Sequence, residues 1–158
     1  MELKRETESD GAEVEALYDL CFAPGRTALP SYRLREGVEP VSDLCMVARD
    51  EAGILAGAIR YWPILVGEDP ALLLGPVAVH PTRQGEGLGR LLIEGSLMQA
   101  SGWKRVLLVG DEAYYKRFGF KQLTGVIMPS PANPDRVLGR DLTPDAWRNV
   151  EGFARPMS

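Results

Sequence analysis

Seven consecutive residues, Gln84-Gly85-Glu86-Gly87-Leu88-Gly89-Arg90, set three glycines at alternate positions ahead of a leucine-rich run, and Arg83 precedes them. The first backbone N–H groups of a helix have no partner within it and together carry roughly half a positive charge. A loop that curls over such an end makes a concave nest of N–H groups suited to phosphate. Glycine serves that loop twice: it reaches positive φ, and it has no Cβ to hold a phosphate away from the backbone. Arg83 and Arg90 add side-chain charge beside the same nest. The pattern is that of a diphosphate site, with a plain flexible turn as the competing reading. It is not a Walker loop, because Gly89 is followed by Arg90 and Leu91. It is not a dinucleotide fingerprint either, because Arg90 stands where the last glycine should be.

The elements around the loop follow from the pattern of apolar residues. Leu72–Val79 is apolar throughout and reads as a central strand covered on both faces. Gly75-Pro76 interrupts it. Proline deletes a ladder donor and glycine permits a bulge, so this strand should splay from its parallel neighbour and leave backbone groups unpaired. A helix follows over Leu88 to Ala100, with Leu88, Leu91, Leu92 and Met98 as its buried stripe and Gly95 as a point of close approach. Val106–Val109 is the next strand, which makes strand, loop, helix and strand a right-handed crossover. Upstream, residues 1–6 alternate as a strand. A helix capped by Asp10 and Glu13 then places Val14, Leu17, Tyr18 and Cys21 on one face, and Ala23-Pro24-Gly25 stops it. A short helix spans Ser31–Glu36. Two strands then form a hairpin through Glu51-Ala52-Gly53. Downstream, a short helix over 112–119 leads to a brief strand. Residues 129–136 read as a loop, Thr143-Pro144 as a helix start, and the rest of the tail as irregular.

The chain has 158 residues, 45% apolar and 25% charged, which is the size and composition of one globular domain, taken as 1–158. Its net charge of −4 argues against a nucleic-acid partner, so any bound anion must be met locally. Cys21 and Cys45 fit neither a metal spacing nor a disulfide framework and read as free thiols. No apolar run resembles a signal peptide or a membrane span, so a cytoplasmic chain with no membrane partner is expected.

The segment Gln84-Gly85-Glu86-Gly87-Leu88-Gly89 also matches Gln/Arg-x-x-Gly-x-Gly/Ala, and at this point the chain resembles the GNAT superfamily of N-acetyltransferases. An apolar strand precedes the loop, a strand follows the helix, and Tyr115-Lys116-Arg117-Phe118-Gly119-Phe120 supplies the family's Tyr-x-x-x-Gly-Phe. The resemblance is strong over 72–120. It implies an α+β (α/β mixed) fold with a central sheet of about six to seven strands, helices on both faces and a splayed strand pair. It implies acetyl-CoA as cosubstrate. Arg83, Gln84, Gly85, Glu86, Gly87, Leu88, Gly89 and Arg90 would bind its diphosphate. The backbone of Val77 and Val79 would receive the pantetheine arm, and Tyr114 would be structural or a ligand contact. Tyr115 would protonate the departing sulfur, set against a packing role for the same ring. No metal is implied.

Acetyl transfer needs a neutral amine, a polarised carbonyl and a proton for the thiolate. Many family members carry a glutamate on the strand before the loop, and Ala71–Val79 has no acid. Glu36, Glu39, Asp43, Glu68 and Asp69 are bases by class only, and His80 follows the strand directly. Tyr32, Tyr61 and Trp62 are candidates to line the acceptor site. The expected function is acetyl transfer to a primary amine of a small molecule or peptide by a monomer or homodimer. A non-catalytic acyl-CoA sensor on the same fold is the alternative.

Overall fold

The structure, a computed structural model, describes residues 1–130 and 132–157. The loop expected over 129–136 includes Pro131, which lies outside the described residues. Two compact units interleave along the chain: Met1–Thr27, Val41–Tyr61 and Gly75–Ser101 build the first, and Ala28–Pro40, Trp62–Leu74 and Gly102–Ser158 the second. Two long strands, β3 (Leu55–Val66) and β4 (Asp69–Val79), contribute to both.

In the first unit, β1 (Glu2–Arg5) and β2 (Met46–Arg49) pair antiparallel, and β2 pairs antiparallel with the first half of β3. The expected hairpin turn is present. Gly53 takes φ +80°, and one Asp50 carboxylate oxygen accepts the N–H groups of Ala52 and Ile54, each at 2.9 Å. The helix α1 (Gly11–Phe22) buries Val14, Leu17 and Tyr18 against Val47, Leu55, Ala58 and Ala78, with Cys21 beside them, as its spacing demands. Its start differs from expectation. A 3₁₀ turn over Glu8–Asp10 precedes it, and the box closes between Thr7 and Asp10, whose carboxylate accepts the Thr7 N–H at 2.8 Å. That N–H and the Arg49 guanidinium at 2.7 Å hold the Asp10 carboxyl below its usual range. Glu13 binds Arg49 instead of capping.

The helix α2 (Leu88–Leu97) buries Leu88, Gly89, Leu92, Ile93 and Ser96. Leu91 is only half-buried and Met98 is 82% exposed, which corrects the expected stripe. The face turns because Ser96 enters the core. Its hydroxyl lies 2.6 Å from the Leu92 carbonyl and 2.8 Å from the buried Tyr61 hydroxyl, so the polar group is satisfied. Gly95 is a point of close approach, since a Cβ there would strike the Leu3 side chain.

The second unit holds more structure than its sequence announces. Its strands are β5 (Arg105–Val109), β6 (Lys121–Gln122), β7 (Val126–Ile127), β8 (Val137–Asp141) and β9 (Gly152–Pro156), giving nine in all among the described residues rather than six or seven. The strand β8 pairs antiparallel with the whole of β5, and β9 pairs with residues 64–66 of β3. Thr143-Pro144 starts no helix. Residues 142–149 run as turns, with Asp145 and Asn149 at positive φ. They are pinned by Trp147, whose N–H donates to Asp141 at 2.9 Å and whose indole N–H donates to the Val106 and Arg140 carbonyls, each at 3.2 Å.

Candidate active site

The glycine loop has the conformation its composition requires. After a 3₁₀ turn over Pro81–Arg83, Gly85 sits at φ +84° and Gly87 at φ +80°, and Gly87 caps α2. A Cβ at either glycine would meet nothing within 4 Å, so glycine is required by the backbone angle and not by packing. The Leu91 N–H bonds the Gly87 carbonyl at 3.1 Å and closes the first turn, which directs the N–H groups of Leu88, Gly89 and Arg90 out of the helix end. Leu88 and Gly89 are buried in α2, whereas Gln84, Gly85, Glu86, Gly87 and Arg90 are exposed.

The two arginines have different surroundings. Arg83 donates through Nε to both Glu86 oxygens at 3.0 and 3.1 Å and through Nη1 to Asp50 at 3.1 Å. Its charge is balanced by two carboxylates, and it braces the loop against the β2–β3 turn. Asp50 is well suited to this bracing, because the Ile54 N–H, the Ala52 N–H and Arg83 all hold its carboxyl below the usual range. Arg90 is exposed on the first turn of α2. His80 is engaged in local structure. Its Nδ1 accepts from the Thr82 N–H at 3.2 Å and faces the Thr82 hydroxyl at 2.8 Å, which caps the 3₁₀ turn.

On β4, Val77 and Val79 are half-buried. The Cys21 thiol donates to the Val79 carbonyl at 3.4 Å, and burial pushes that thiol up, so it stays protonated as a donor. Sequence reasoning missed this contact, because nothing in the spacing joins residues 21 and 79. Among the described residues, the parallel ladder between β4 and β5 consists of Leu72↔Val106 and Leu73↔Leu107. It stops just short of Gly75-Pro76, while the β8 side of β5 stays paired through Val109.

Tyr115 ends the short helix α3 (Glu112–Tyr115), capped by Asp111, whose side chain accepts the Ala113 N–H at 3.0 Å. The ring lies edge-on to Tyr114 at 4.9 Å and to Phe120 at 6.0 Å. It packs so tightly on Gly110 that a Cβ there would sit 2.5 Å from it. Burial, then the neighbouring Tyr114, pushes the Tyr115 phenol up to about 12. Tyr114 is exposed and carries Arg117 over its ring at 4.9 Å. Of the candidate bases, Asp43 pairs with Arg5 and Glu68 with Arg155, while Glu36 and Glu39 lie at or near the surface.

Three comparisons bear on this arrangement. The family model of the acetyltransferase (GNAT) domain matches residues 42–122. The uncharacterized N-acetyltransferase YhbS of Escherichia coli K12 is 32% identical over 125 residues, 77% of this chain and 74% of that protein. The chain belongs to the GNAT family of acetyltransferases. The fold agrees: the crystal structure of Escherichia coli YhbS in complex with CoA superposes with a TM-score of 0.84 at 28% identity, covering 99% of this chain and 89% of that one. A GNAT family acetyltransferase from Brucella melitensis in complex with acetyl-CoA superposes with a TM-score of 0.72 at 27% identity, over 99% and 96% of the two chains. The family model spans the glycine loop, the interrupted strand and Tyr115 together. Among the described residues, no helix is long and apolar enough to cross a membrane.

Proposed function

We propose that this GNAT enzyme transfers the acetyl group of acetyl-CoA directly to a primary amine of a small molecule or peptide, with 1–158 acting as one domain. The sharing of β3 and β4 between the two compact units supports a single domain. The observation that carries the reading is the β4–β5 ladder of two pairs, ending ahead of Gly75-Pro76. In this reading the backbone beyond that point, at Val77 and Val79, receives the pantetheine arm. The Gln84–Arg90 loop fits the diphosphate, since its glycines adopt positive φ with open space above them. In this reading Arg83 and Glu86 shape the loop, and Arg90 adds charge at its rim.

The chemistry asks little of the side chains. An amine of pKa about 10.4 is made neutral at pH 7 at a cost of about 4.6 kcal/mol, which desolvation and a relay through water to the backbone supply. The amine nitrogen attacks the thioester carbonyl carbon and the C–S bond breaks as the Tyr115 phenol hydrogen-bonds the departing sulfur; the surplus proton of the nitrogen leaves through the water relay, and the thiolate takes up a proton from solvent. The test is release of free thiol from acetyl-CoA across a panel of amines. Amine-dependent thiol release supports the reading, and acetyl-CoA binding with no turnover on any amine contradicts it.

A further inference from the structure

The second unit holds a cavity of about 420 Å³, none of whose lining residues belongs to the glycine loop, the β4–β5 ladder or α3. Its volume is that of a small-molecule site, roughly 300–1,000 Å³. One wall is the run 121–125, from β6 towards β7, and the other is the run 145–151, ahead of β9. The walls are tied at both ends. Lys121 and Gln122 pair with Gly139 and Leu138, and the Gly152 N–H donates to the Gly125 carbonyl at 2.9 Å. Between them, Gly139 lets Leu123 and the Trp147 indole close over the sheet, since a Cβ there would lie 2.7 Å from each. The indole N–H is engaged by the Val106 and Arg140 carbonyls, so Trp147 offers the cavity carbon surface.

The fold does not use most of the polar lining. Among the described residues, the side chains of Lys121, Thr124, Asn149 and Glu151 have no hydrogen-bond or ion-pair partner. Arg148 faces Asp145 at 4.0 Å, and Asp141 gives one carboxylate oxygen to the Trp147 N–H and keeps the other. Asp145 and Asn149 hold φ +55° and +62°, where glycine would sit without strain, so the turn keeps two polar side chains at a cost to its backbone. Unpartnered charge of both signs thus stands on facing walls, Lys121 on one and Glu151 on the other. A ligand with a single charge would leave one of them unanswered, and a neutral ligand would leave both. We propose that this cavity binds a zwitterion, an amino acid or a short peptide, with its ammonium group on Glu151, its carboxylate on Lys121 and its side chain against Trp147. The inference goes beyond the acetyl-transfer reading and does not depend on it.

Calorimetry on the full chain, without acetyl-CoA, screens the common L-amino acids and their glycyl dipeptides. The tightest binder is then compared with its decarboxylated amine and its deaminated acid, as L-leucine with isoamylamine and isocaproate. A charge-assisted hydrogen bond corresponds to about a tenfold to hundredfold change in affinity, so the zwitterion should bind more tightly than either matched compound by about that factor. Glu151→Gln should weaken the zwitterion by the same factor and leave the deaminated acid unchanged. Lys121→Met should weaken the zwitterion likewise and leave the decarboxylated amine unchanged. Melting curves and acetyl-CoA affinity of both variants should match the wild type, because neither side chain holds a bond of the fold; a lowered melting temperature would mark a lost fold rather than a lost site, and Lys121→Gln and Glu151→Asp then repeat the comparison. No saturable binding by any member of the panel, equal binding of the three matched compounds, or zwitterion binding unchanged in either variant overturns the inference. Thiol release from acetyl-CoA is measured separately, so acetyl transfer stands or falls on its own result.

Discussion

Replacing Tyr115 by phenylalanine removes one oxygen and keeps the ring against Gly110 and Phe120. The phenol is pushed up to about 12, chiefly by burial. Against a thiol of pKa about 8.5, complete transfer of its proton is uphill by about 3.5 units, or roughly 4.8 kcal/mol. Tyr115 therefore acts by sharing its proton with the sulfur as charge develops, and relaxes afterwards through solvent. What the mutation removes is a charge-assisted hydrogen bond, about 1.5–3 kcal/mol, so kcat should fall by about one to two orders of magnitude. The affinity for CoA should hardly change. The sign of the pH effect follows from the same shift: the active form is the neutral phenol, and a raised pKa extends it upward. Tyr115 should therefore impose no fall in kcat until the pH approaches about 12. Steady-state kinetics of both proteins from about pH 6 to about pH 11, with CoA binding measured in parallel, checks this. Full activity in Tyr115→Phe would refute the reasoning. So would a fall in wild-type kcat centred near about pH 10 that disappears in the variant, since that would place the phenol in water.

Three further outcomes follow from the loop and its strand. Pro76→Val restores a ladder donor, so β4 and β5 should pair further, and calorimetry should show weaker acetyl-CoA binding with no loss in melting temperature. Gly87→Ala places a Cβ in open space but at φ +80°, so its cost of about 1–2 kcal/mol is backbone strain. It should lower the melting temperature by a few degrees, and weaken CoA binding where the loop shifts to relieve the strain. Glu86→Gln removes one of the two carboxylates that balance Arg83, so CoA should bind about twofold to threefold tighter at low salt, with the gain vanishing at high salt.

The parts of the fold that were legible in the sequence are those where local chemistry decides the outcome. Gly85 and Gly87 were readable because positive φ needs glycine, and Gly75-Pro76 because proline cannot feed a ladder. The Val14, Leu17, Tyr18 face of α1 follows from helical spacing alone. The misreadings occur where a distant partner overrides the local pattern. Arg49 draws Glu13 away from the cap. Tyr61 and the Leu92 carbonyl let Ser96 enter a face that sequence assigned to leucines. The strands β8 and β9 are short and weakly patterned, and they exist because β5 and β3 offer edges to pair with far away in sequence. At the candidate site, the loop was visible by type and spacing, and Tyr115 through the family resemblance. The bracing of Arg83 by Asp50 and the Cys21 thiol on Val79 each join residues that no short motif connects.

Amide hydrogen exchange with and without acetyl-CoA, read residue by residue, tests the central claim most directly. The account predicts slowed exchange at Gly85 to Arg90 and at Val77 and Val79 when the cosubstrate is bound. Saturating acetyl-CoA with those amides unchanged, and protection appearing elsewhere, would contradict it.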